Sequence, residues 1–191
     1  MPKRDAAYMR QRRAEILEAA VDCLSRYGMS GFSTTQICEC AGISMGALYT
    51  HFKSKDEIIV ALVEDANAGR EALLEIESFD QFRATVLSIV KSLTTLENRQ
   101  KIRVDLELIV ASATDPKLAA AMDGVLHNKT IEQLLQKLQR KGEVGADVDV
   151  RAVAGALAAQ LLGFSVYAAA DGYYIKSRKA ATELLLNALK Q

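Results

Sequence analysis

The chain has 191 residues, half of them hydrophobic and only two of them proline, so it can bury a substantial core and suits a mostly helical protein. Its formal net charge is zero and its three cysteines argue against a disulfide framework. No run approaches the ~20 uncharged apolar residues of a membrane span, and the N-terminus lacks the apolar segment of a signal peptide, so a cytoplasmic protein is expected.

The charge is unevenly spread. Residues 1–55 hold 8 Lys/Arg against 5 Asp/Glu, and the rest hold 16 against 19. Lys3, Arg4, Arg10, Arg12 and Arg13 crowd the start of the first expected helix, Arg12–Tyr27. That helix carries Ile16, Ala20, Cys23 and Leu24 on one stripe and ends at Gly28. Next comes STTQICECAGISMGALYTHFKSK, residues 33–55. Ser33 with Gln36 forms a capping box for a helix from Thr34 to about Ala41, and Gly42 supplies the turn. Ser44 caps a second helix, Met45 to about His51, with Leu48 and Phe52 on one side. Ser54 with Glu57 forms another box and starts a third. Two short helices joined by a tight turn are the plan of a helix-turn-helix, which fits a helix into the major groove of DNA.

The remainder also reads as helices. Lys55 to about Glu75 carries Ile58, Ile59, Leu62 and Val63. A helix starting at Ser78–Asp80 places Phe82, Val86, Ile89, Val90 and Leu93 inside. Asn98–Ala113 is apolar nearly all round after Arg103, so a central, buried helix is expected. Asp115–Pro116 starts a helix that continues to about Lys141. Gly142–Asp149 is a loop whose last residue can cap a helix from Val150 to Ala170. There Gly155, Ala159 and Gly163 recur at i,i+4 and let another helix approach closely, from the same chain or from a partner. Ser177–Leu189 forms the last helix. The expectation is an all-α chain of about nine helices, with a helix-turn-helix domain at 1–54 and a helical ligand-binding and dimerisation domain at 55–191.

AGIS followed by GALYTHFKSKDEI closely resembles the signature of the TetR/AcrR family of bacterial transcriptional regulators, and RRAEILEAAVDCLSRYGMSGFSTTQI resembles the segment before it. The resemblance covers about residues 10–60. It implies that Met45, Gly46 and Ala47 lie against bases, that Tyr49 binds phosphate, and that Thr35 and Gln36 touch DNA. Ser33, Thr34, Ser44, Thr50, His51, Lys53 and Lys55 join the DNA-facing set, with Arg12 and Arg13 in a basic arm that reaches the minor groove. The base-facing positions hold no Arg, Lys, Asn or Gln, so Met45 and Ala47 offer apolar contact and specificity leans on shape, Thr35, Gln36 and the arm. The resemblance also implies a homodimer on a palindromic operator and a small-molecule effector that releases it. For the dimer the chain offers Gly155, Ala159, Leu162, Gly163, Leu184, Leu185 and Ala188. For the effector it offers Phe82, Val86, Arg103, Glu107, Met122, His127, Phe164 and Tyr167, although the apolar members read equally as core. Glu107, an acid on an apolar helix, needs a partner, either a cationic ligand or Arg103.

Cys38 and Cys40 flank Glu39, where neighbouring thiols could report redox or bind metal, but i,i+2 spacing on a helix points them about 200° apart, which is poor for one metal site. No phosphate loop or metal-spaced histidine cluster points to an enzyme, a metal or a cofactor. A different class remains open: an architectural or cell-division DNA-binding protein with the same head and no effector.

Overall fold

The computed structural model describes residues 6–93, 95–123, 128–170 and 177–190, with the backbone alone at 66–71 and 96–97. Among the described residues it holds ten α-helices and no strand. They are α1 (Ala6–Gly31), α2 (Thr34–Ala41), α3 (Met45–His51), α4 (Lys55–Glu71), α5 (Phe79–Ser92), α6 (Leu96–Ser112), α7 (Pro116–Ala121), α8 (Lys129–Arg140), α9 (Val150–Ala169) and α10 (Arg178–Asn187). Short 3-10 turns follow α4 at Ala72–Glu75 and α10 at Ala188–Lys190. By packing, the chain divides into two compact units: residues up to Asp65 with Arg103–Ala121, and Ala66–Ile102 with Met122 onward.

In the first unit the expected caps form. Ser33 Oγ accepts from the Gln36 N–H at 3.3 Å and Ser44 Oγ from the Ala47 N–H at 3.2 Å. Each such cap stabilises its helix by about 1 kcal/mol. Gly42 takes the left-handed conformation, φ 60°, and the Ile43 N–H closes the turn onto the Cys38 carbonyl at 3.0 Å. Ile16, Leu24, Ile37, Leu48, Phe52 and Ile58 are fully buried, so the stripes read from the sequence do face the core. Helix α1 begins earlier than expected, and its regular run ends as expected at Gly28, whose φ of 65° and ψ of 178° no helix contains; a short turn to Gly31 follows the kink.

The second unit is built around Phe79, Phe82, Val86, Leu134, Leu135, Leu138, Val150, Leu157, Leu186 and Leu189. Gln139 pins the loop after α8 by donating to the carbonyls of Gly145, Ala146 and Val148. Asp149 caps α9 through the Ala152 N–H at 3.0 Å.

Four expectations need correction. The helix expected from Pro116 to Lys141 is described as two, α7 and α8, and Asn128 ahead of α8 has φ 52°, a conformation that asparagine tolerates and most residues resist. Helix α6 is not buried all round: Ile102, Val104, Leu108 and Ser112 face inward, whereas Arg103 and Val110 are exposed. Ile89, expected inside, lies at the surface of α5. Finally, α9 has a mean hydropathy of 1.6 and a single charged residue, Arg151, so by length and composition it could cross a membrane. Arg151, Gln160 and Ser165 interrupt the run enough to hide this in the sequence.

Candidate nucleic-acid interface

The caps on either side of Gly42 set α3 against α2, and Leu48 anchors it from below. What remains outward is a narrow edge. Ser44, Met45, Gly46, Tyr49 and Thr50 are exposed, with Met45 at 37% and Tyr49 at 50%, and Ala47 is half-buried. On α2, Thr35 is exposed, while Thr34 and Gln36 are half-buried beside it.

Hydrogen bonding fixes what several of these groups can still offer. Ser33 has no proton left to donate: it accepts from the Gln36 N–H and donates to Gln36 Oε1 at 3.1 Å. Its partner in the expected box is therefore the glutamine side chain, and Gln36 keeps its amide NH₂ for an external acceptor. Ser44 accepts in its cap and so retains its proton for donation. Thr50 donates to the Gly46 carbonyl at 2.9 Å, which leaves it an acceptor at the surface. Tyr49, half exposed, carries a hydroxyl that suits a phosphate oxygen. Met45 Sδ accepts from Cys38 Sγ at 3.3 Å, which ties the first residue of α3 back to α2.

The basic residues separate into two groups. Lys53 is exposed at the end of α3 and His51 is half-buried nearby. Lys55 instead turns inward: its Nζ donates to the Met29 carbonyl at 3.3 Å and stands 5.3 Å from the Phe32 ring. Arg13 lays its guanidinium over Phe52, 4.4 Å from the ring centre. Arg12 pairs with Glu15 at 2.5 Å, which raises the arginine's pKa and lowers the carboxylate's. In this state both expected arm arginines are held on the head itself. Lys3 and Arg4 lie outside the described residues, and Arg10 is exposed.

The described effector candidates fall in both units. Phe82 and Val86 sit in the core of the second unit, and Met122 is buried. Phe164 is half-buried, Tyr167 is exposed, and His127 lies outside the described residues. Arg103 and Glu107 belong to the first unit. Glu107 Oε2 accepts the Met29 N–H at 2.6 Å, just past the kink at Gly28. This contact joins residues 78 apart, and only the lone acid on α6 and the glycine in α1 hint at it. The second unit does hold an open groove of about 580 Å³, lined by Ala84, Leu87, Ser88, Lys91, Arg178 and Lys179 among others.

The small-residue strip of α9 is uncovered. Gly155, Ala159 and Leu162 are exposed, and a Cβ built on Gly155 or Gly163 would meet nothing within 4 Å. Val166 and Tyr167 continue this surface. On α10 the buried side is Thr182 and Leu186, whereas Leu184 is 73% exposed and Leu185 is half-buried; Ala188, in the turn after it, is exposed.

Two family models match the chain. The one for bacterial regulatory proteins of the tetR family covers residues 16–62, and the one for the C-terminal part of BetI-type transcriptional repressors covers residues 79–191. The HTH-type transcriptional regulator UidR of Escherichia coli strain K12 is 31% identical over 141 residues, 72% of this chain and 71% of its own. The HTH-type transcriptional repressor AcnR of Corynebacterium jeikeium is 27% identical over 165 residues, 85% of this chain and 84% of its own. The solved structure of Salmonella enterica GusR shares the fold with a TM-score of 0.76 at 23% identity, covering 95% of this chain and 96% of that one.

Proposed function

The chain belongs to the TetR family of bacterial regulatory proteins, and from that premise we propose that it is a ligand-responsive transcriptional repressor that binds a palindromic operator as a homodimer. The observation that carries this reading is the outward edge of α3, held by caps at Ser33 and Ser44 and presenting Met45, Gly46, Tyr49 and Thr50. Such an edge enters a major groove with its N-terminal residues toward the bases. Tyr49 and Lys53 hold phosphates and set the register, while Met45 meets thymine methyl groups and Thr35, Gln36 and Thr50 supply polar contacts. Work on DNA places the protein in the cytoplasm.

Two-fold symmetry of the operator requires two-fold symmetry of the protein. The uncovered apolar faces of α9 and α10 supply the surface for it, through Gly155, Ala159, Leu162, Gly163, Leu184, Leu185 and Ala188. The effector belongs to the second unit. The groove beside Lys91, Arg178 and Lys179 supports a ligand with an anionic group there. Release from DNA follows when that ligand prefers the arrangement of heads that does not fit the operator.

Footprinting on DNA adjoining the gene tests the reading. The expected result is one protected inverted repeat and a binding constant that falls steeply with salt. Protection at many unrelated sites would favour an architectural protein. Met45→Ala should lower affinity only for operators carrying the base pair that Met45 touches; an equal loss on every operator variant would remove Met45 from base readout.

A further inference from the structure

The head holds three thiols that DNA binding does not use: Cys23, Cys38 and Cys40. The neighbouring pair, Cys38 and Cys40, points apart as helix geometry requires. Cys38 is buried and donates to Met45. Cys40 instead meets a residue from another helix: Cys23 Sγ, fully buried on α1, donates to Cys40 Sγ at 3.0 Å. A disulfide bond is about 2.05 Å long, so roughly 1 Å of approach separates this contact from a covalent bond. Cys40 is exposed, which gives an oxidant access to one member of the pair.

We propose that Cys23 and Cys40 are a peroxide-oxidisable dithiol, a modification site within the DNA-binding head whose disulfide form binds the operator more weakly. The Cys40 thiolate attacks one oxygen of the peroxide, breaks the O–O bond and becomes a sulfenic acid, and the other oxygen leaves as water or an alcohol. The Cys23 sulfur then attacks Cys40 sulfur. The S–S bond forms, the S–O bond breaks, and the departing hydroxide takes the Cys23 proton as water. Two thiols lose two electrons and the peroxide gains them. Burial, and then the hydrogen bond to Cys40, pushes the Cys23 thiol up to about 12, so Cys23 is held as the thiol and the exposed Cys40 meets the oxidant first.

The consequence follows from where Cys40 stands, two residues before the turn at Gly42. Closing the bond draws the end of α2 toward α1. The same end of α2 carries Cys38, which holds Met45, and Gly42, which sets the angle of α3. A shift of about 1 Å there is felt throughout a closely packed head.

The weaker binding rests on the DNA-binding reading of the head; the disulfide itself does not. The full chain is treated with hydrogen peroxide, its remaining thiols are alkylated, and the peptides are mapped. The expected result is an intramolecular link between the Cys23 and Cys40 peptides, one alkylatable thiol left at Cys38, and reversal by dithiothreitol. Cys23→Ser and Cys40→Ser should each abolish the link, and Cys38→Ser should keep it. A link through Cys38, a link between chains, or Cys40 driven to sulfinic acid without a link overturns the proposal. On the footprinted operator, the oxidised protein should bind at least about fivefold more weakly, with Cys40→Ser insensitive to peroxide. A formed link with unchanged affinity overturns the regulatory half. If the reduced protein also fails to bind DNA, the failure belongs to the functional reading and the peptide map still decides the dithiol.

Discussion

Gly28 shows how one residue can tie two distant segments of the first unit. Its φ of 65° with ψ of 178° lies in a region open essentially to glycine alone, and it breaks α1 so that the Met29 N–H points at Glu107. A Cβ at Gly28 would also stand 3.3 Å from Glu107 Oε1. Gly28→Ala should therefore cost roughly 1–3 kcal/mol, read as a lower urea midpoint at unchanged slope. Glu107→Ala leaves a part-buried N–H without its acceptor and should cost about 1–3 kcal/mol, whereas Glu107→Gln keeps an acceptor oxygen and should lose less. Equal losses for the two Glu107 variants would show that the hydrogen bond is not what Glu107 contributes. The sequence made half of this legible. An acid on an apolar helix announces a partner, but a partner 78 residues away along the chain leaves no local spacing to read. The same holds for Cys23 and Cys40: the i,i+2 pair is visible in the sequence, and the helix-to-helix pair is not.

At the scale of elements, capping was the most legible feature, because a cap is a contact between residues two or three apart. Ser78 shows it again, accepting from the Gln81 N–H at 3.3 Å while Gln81 Oε1 accepts from the Glu77 N–H at 2.9 Å. What joins elements was less visible. Glu77, ahead of α5, is bound by Lys137 on α8 and by Lys141 just after it, and Lys137 also donates to the carbonyls of Leu74 and Ile76 at 3.0 Å. The two lysines hold the Glu77 carboxyl down at about 2. Its folded pKa lies below its unfolded value, so its contribution is complete above the unfolded carboxylate range and is lost as pH falls toward 2. Between about pH 4.5 and 2, Glu77→Gln should show a shallower loss of stability than the natural chain. The measurement is the urea midpoint at a series of pH values. Parallel curves for the two proteins would show that Glu77 is not protonated on unfolding in this range. The break before α8 was harder to read, since Asn128 lies inside a continuous helical pattern and only its tolerance of positive φ marks it.

At the scale of the molecule, the question is what covers α9. A helix this apolar is covered by its own chain, a lipid bilayer or another protein. Its own chain covers little of it: Val150, Ala154, Leu157 and Ala168 are buried, while Leu162, Val166 and Tyr167 are exposed. A bilayer would require every side to be apolar, but Arg151, Gln160 and Ser165 belong to the helix, and Asp149 caps it with a carboxylate. A second copy fits better, because the strip Gly155–Ala159–Gly163 lets two backbones approach and Leu184 on α10 offers a large apolar side chain. The small-residue spacing was readable from the sequence; which side of each helix its own chain leaves open was not, since that depends on where Leu157 and Leu186 find their core. Leu184→Asp places a charge on that face without touching the buried side of α10. It should shift the proposed dimer to monomer at micromolar concentration in sedimentation velocity, with helix content unchanged. Operator affinity should then fall by about a hundredfold or more, because two linked heads bind two half-sites with an avidity that one head lacks. Binding to a single half-site should be unaffected, since Met45, Tyr49 and Lys53 remain in place. A Leu184→Asp protein that stays dimeric would move the interface off α10, and a monomer that holds the full operator as tightly as before would show that the two heads do not act as a pair.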